Sequence, residues 1–73
     1  MTPEQALCNA IIIQAVKDYR TALKALKRNP NSMAAIDTKR EVERFFRSQW
    51  YMVLTDVDGE FLIRKLNEEV NAQ

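Results

Sequence analysis

The stretch Ala10-Ile11-Ile12-Ile13-Gln14-Ala15-Val16-Lys17-Asp18-Tyr19-Arg20-Thr21-Ala22-Leu23-Lys24-Ala25-Leu26-Lys27 decides the fold. Within it Ile12, Val16, Tyr19, Leu23 and Leu26 recur at spacings of 4, 3, 4 and 3. That is the repeat of one face of an α-helix. Lys17, Arg20, Lys24 and Lys27 recur beside them at 3, 4 and 3. One side of this helix needs a core. The other needs water or an anionic partner.

The helix extends outward in both directions. Thr2 suits an N-cap, Pro3 the first helical position and Gln5 the partner position of a capping box. Asn29-Pro30 ends it, because the residue before a proline is pushed out of the helical region. The expected span is about residues 3–28.

A second helix is expected over about residues 32–53, capped by Asn31 or Ser32. Its core face reads Ala35, Val42, Phe46, Trp50 and Val53, with Phe45 on the flank. Arg40, Arg44 and Arg47 repeat the basic spacing on the opposite face. Trp50 to Leu54 would also suit a strand, but no second strand exists to pair with it. A third helix is expected over about 57–70, with Thr55 as N-cap, Leu62, Leu66 and Val70 inward and Ile63 beside them. Asn71 to Gln73 should fray. The fold class is therefore all-α: a three-helix bundle, or a helical hairpin with a third short helix packed across it.

Composition limits the function. A chain of 73 residues makes one domain. One cysteine, Cys8, cannot form an internal disulfide, and the absence of histidine removes a Cys/His zinc site. A small core without a staple favours oligomerisation. Cysteine usage and the lack of a signal peptide fit a reducing, cytoplasmic setting. The longest apolar run, Ala10 to Ile13, is too short to span a membrane.

Net charge is +1, yet the chain is polarised. Met1 to Trp50 holds nine Lys/Arg against five Asp/Glu, and Tyr51 to Gln73 holds two against five. The basic stripes are either solvated faces or contacts to an acidic or phosphate-bearing partner. Ile13 falls on the first stripe, and Tyr51 falls near the second. Mixed apolar and cationic residues suit a contact surface. The candidate partner-binding residues are Lys17, Arg20, Lys24, Lys27, Arg40, Arg44, Arg47 and Tyr51. Ile11, Ile13, Phe45 and Phe61 exceed what single core faces can bury, and they are the candidates for an oligomer interface.

Other chemistries fail on residues. A recognition helix bearing Glu60, Glu68 and Glu69 would be repelled by phosphate. Aligning Gly59 with the invariant glycine of a calcium loop puts Leu54 first and Lys65 twelfth, and neither is a ligand. No histidine base accompanies Cys8, and a single glycine cannot build a phosphate loop. The expectation is a non-enzyme with no metal, cofactor or small-molecule substrate.

Gln14-Ala15-Val16-Lys17-Asp18-Tyr19-Arg20-Thr21-Ala22-Leu23, Glu43-Arg44-Phe45-Phe46-Arg47-Ser48-Gln49-Trp50-Tyr51 and Leu54-Thr55-Asp56-Val57-Asp58-Gly59-Glu60-Phe61-Leu62-Ile63 together resemble small uncharacterised proteins from phages and prophages of Gram-positive bacteria. The resemblance carries no site residues. It implies a small binding protein that acts inside the host cell, such as an inhibitor of a host defence nuclease of the anti-CRISPR kind. A nucleic-acid-binding transcriptional regulator and a structural homo-oligomer are the alternatives.

Overall fold

The structure is a computed structural model. It describes residues 3–72, with the backbone alone for residues 3–5. The expected Thr2 cap and the Gln5 side chain lie outside the described residues. Four helices follow one another: α1 (Pro3–Arg28), α2 (Met33–Phe46), α3 (Gln49–Leu54) and α4 (Gly59–Asn71). The all-α class holds, and the short α3 packs on α2. Among the described residues no helix is long and apolar enough to cross a membrane.

α1 and α2 form the hairpin, joined at Asn29 to Ser32. Ser32 caps α2 by accepting from the Ala35 amide. α4 lies against both helices. The core is Tyr19, Leu23, Val42, Phe46, Tyr51, Ile63, Leu66 and Val70. Ile12 and Val16 pack against it from α1.

The expected second helix is two helices. Arg47 closes α2, and Ser48 turns extended at φ −79° and ψ 159°. The Ser48 hydroxyl accepts from the Tyr51 amide at 3.1 Å and donates to the Phe45 carbonyl at 2.6 Å. One side chain thus satisfies backbone groups on both sides of the break. The break resets the helical phase. Trp50 and Val53, expected inside, are 59% and 83% exposed. Tyr51, expected at a partner surface, is 1% exposed and stacks edge-on against Phe46.

α4 starts later than expected. Asp58 is its cap, accepting from the Glu60 amide, while Thr55 closes α3. Ile63 is fully inside with Leu66 and Val70, and Leu62 is only half-buried. Gly59 sits where α4 meets the end of α2. A Cβ there would overlap the Phe46 carbonyl oxygen. Gly59→Ala should therefore push α4 off α2 and cost about 1–3 kcal/mol. A lower urea midpoint at unchanged slope is the expected result.

Candidate functional site

Both basic stripes border α4. From α1, Arg20 donates to Glu69 at 3.1 Å, and Lys27 donates to the Val70 carbonyl at 3.1 Å. From the end of α2, Arg47 donates to both carboxylate oxygens of Glu60. Glu60 and Glu69 are nine residues apart, about half a turn at ~100° per residue. The stripes therefore hold α4 from its two sides. Arg47 keeps the Glu60 carboxyl below the usual glutamate range, first through the hydrogen bond and then through its charge.

Three of the seven stripe cations thus serve the fold. Lys17, Lys24, Arg40 and Arg44 remain exposed, with no carboxylate among the described residues at ion-pair distance. Arg40 and Arg44 line an open cleft of about 510 Å³ with Glu43, Arg47 and Ser48. α4 contributes two cations that stripe spacing did not single out. Arg64 and Lys65 each lie 5.9 Å from the centre of the Phe61 ring. Phe61 is 43% exposed. Nine of the eleven cations stand on α4 and on the α1 and α2 stripes that border it, with Glu43, Glu60, Glu68 and Glu69 among them. The signal for this face was the acidic α4 itself: its carboxylates answer the stripes and leave Arg64 and Lys65 outside.

The four residues assigned to an oligomer interface are not brought together. Ile13 is 54% exposed and shares its stripe with Lys17 and Lys24. Phe61 sits on α4. Ile11 and Phe45 do meet, in a groove of about 480 Å³ that also takes in Ala15, Val42 and Trp50. Asp18 and Glu41 form its polar rim, and Gln14 donates to Asp18 at 3.0 Å. Cys8 is half-buried and free.

A polar junction positions all of this. The Tyr19 hydroxyl donates to Glu43 at 2.5 Å and accepts from Asn67 at 3.0 Å. Lys39 donates to the same Glu43 oxygen at 2.9 Å. Burial raises the Tyr19 phenol far above its ordinary value, and the Glu43 bond adds to this. Burial alone would raise the Glu43 carboxyl as well. The bonds from Tyr19 and Lys39 and the charges of Lys39 and Arg47 outweigh it and hold that carboxyl low.

Two predictions follow the two tyrosines. A depressed Glu43 carboxyl adds stability above its unfolded value, near 4.5, and that stability is lost as pH falls through the lower folded value. Chemical denaturation across the acid range should show this loss, and Glu43→Gln should flatten it while lowering stability at pH 7. The Tyr51 hydroxyl is buried without a hydrogen-bond partner among the described residues, and burial raises its phenol, with the Asp58 charge adding to the shift. An unpaired buried hydroxyl costs about 1–3 kcal/mol. Tyr51→Phe should raise the urea midpoint, the reverse of the usual effect of a core substitution.

No protein-family model, no curated protein and no solved structure matches this chain.

Proposed function

We propose that this protein is a non-catalytic interaction protein that docks an acidic surface of a protein partner on the cationic face around α4. One observation carries the reading. Arg20 and Arg47 consume Glu69 and Glu60, and two further cations, Arg64 and Lys65, flank the exposed Phe61 ring. Desolvating an aromatic side chain beside arginines is a frequent source of interface energy. The cations on the rim would mainly steer the encounter and suppress wrong partners. The resemblance to phage and prophage proteins makes a host defence nuclease the first partner to try.

Substituting Lys17, Lys24, Arg40 and Arg44 together by Glu tests the face without touching the α4 ion pairs. Capture of the partner from a nuclease-treated cell extract should be lost while helical circular dichroism stays unchanged. Capture by the substituted protein at the wild-type level would refute the reading. The nucleic-acid alternative predicts the opposite dependence on treatment: nuclease abolishes capture. It also predicts direct DNA or RNA binding that weakens steeply with salt, by about 0.9 in the log–log slope per phosphate contacted on duplex DNA.

A further inference from the structure

The α1–α2 hairpin has two sides, and α4 covers one of them. It does so as an amphipathic helix. Ile63, Leu66 and Val70 recur at spacings of 3 and 4 and enter the core. Glu60 and Glu69 on its flanks meet cations of the hairpin. The other side is open. Ile11 and Arg20 are nine residues apart on α1, about half a turn round the helix. Phe45 and Arg47 diverge in the same way at the end of α2, separated by about 200°. The groove holding Ile11 and Phe45 therefore faces away from α4.

This groove has the make-up of a binding site. Its volume is about 480 Å³, and its walls include Ile11, Ala15, Val42, Phe45 and Trp50. A mostly apolar cleft with a few polar groups is the common form of such a site. Phe45 meets Trp50 edge-on at 5.8 Å and 80°, and Tyr51 at 5.7 Å and 84°. Tyr51 is itself in the core, so Trp50 is held in place although it is 59% exposed. Walls set in advance lower the ordering cost of binding.

Charge defines what the occupant carries. Asp18 and Glu41 stand on the rim, one from each helix. Glu43, Glu60 and Glu69 each meet a cation, but neither rim carboxylate joins an ion pair among the described residues. Lys17 stands on the α1 face of Ala10, at the outer edge, and does not line the groove. The rim is therefore negative and uncompensated. It disfavours nucleic acid, an anionic bilayer and an identical rim, and it attracts a cation set beside an apolar surface.

Length defines its shape. Leu7, Ile11, Gln14 and Asp18 recur at 4, 3 and 4 on one stripe of α1, and Leu7 is 63% exposed. From Leu7 to Asp18 the stripe runs about 16 Å, three helical turns. One end is apolar and the other acidic. We propose that the groove binds an amphipathic helix of another protein, apolar where it inserts and bearing lysine or arginine where it passes Asp18 and Glu41. Apolar anchors at i, i+4 and i+7 match the stripe. The occupant does on this side of the hairpin what α4 does on the other, with the charges inverted.

Peptide probes test this. One is a synthetic helix of about twelve residues, with leucines at i, i+4 and i+7 and lysines after the last. Its twin carries glutamates for the lysines. Trp50, the only tryptophan, reports from the groove wall. Its emission should move to the blue and saturate as the lysine peptide is added, with a Kd roughly tenfold below that of the twin. Asp18→Lys with Glu41→Lys should reverse that order. Both side chains are exposed, so this variant keeps its fold. Ile11→Glu should abolish the response with circular dichroism unchanged. Lys24→Glu with Arg44→Glu, on the cationic face, should leave the response to the lysine peptide as it is. Three results overturn the inference: no shift of Trp50 emission at millimolar lysine peptide, equal responses to both peptides, or a response that survives Ile11→Glu. Should Ile11→Glu fail to fold, the Asp18→Lys, Glu41→Lys variant decides, since an unreversed order refutes the site. Trp50 emission reads the groove alone, so failure here leaves the cationic face untouched.

Discussion

The hydroxyl of Tyr19 is the point on which the rest of the structure depends. It belongs to α1, donates to Glu43 on α2 and accepts from Asn67 on α4. Its ring meets Phe46 edge-on, with centroids 5.9 Å apart. Apolar burial supplies most of the stability of such a core, but burial is non-directional. Leucines and valines alone would let α4 roll about its axis on the hairpin. Asn67 cannot roll, because it also donates to the Ile63 carbonyl of its own helix. A hydrogen bond to a carboxylate is about twice as strong as a neutral one. Lys39 neutralises the charge drawn inward.

Fixing that rotation places the charges of α4. Glu69 then reaches Arg20 on one flank, and Glu60 reaches Arg47 on the other. Both pairs are largely solvated, at 41% and 46% exposure for the first and 53% and 61% for the second. Exposed pairs contribute little free energy, typically 0–1 kcal/mol. Their larger effect is on the surface field. They cancel two carboxylates that would otherwise dilute the cations around α4. The stripe read from the sequence as a single basic surface is therefore two populations in alternation: Arg20 and Lys27 turned toward α4, Lys17 and Lys24 turned to water.

Local signals were readable in the sequence and non-local ones were not. α1 was legible because its apolar repeat runs unbroken to a proline. The break at Ser48 was not, since Arg47-Ser48-Gln49-Trp50 contains no glycine or proline and the aromatic spacing Phe46 to Trp50 fits a continuous helix. A serine hydroxyl serving two backbone groups outweighed that periodicity, and the phase change turned Tyr51 inward and Trp50 outward. Gly59 fell inside the expected third helix, and the sequence showed no packing role for it. Its actual constraint is contact with Phe46, thirteen residues away in the chain. Arg20 and Glu69 are 49 positions apart, and no pattern in a single sequence announces such a pair. The groove was half legible: surplus isoleucines and Phe45 marked it, but Trp50 had been assigned to the core.

The separation of the two faces comes from the helix itself. Ile12, Val16, Tyr19 and Leu23 fill one sector of α1 with core, and α2 and α4 approach from either side of that sector. What is left beyond α4 is cationic, and what is left beyond α2 is apolar with an acidic rim. A chain this small can hold two unlike surfaces because a central helix needs only part of its circumference for the core.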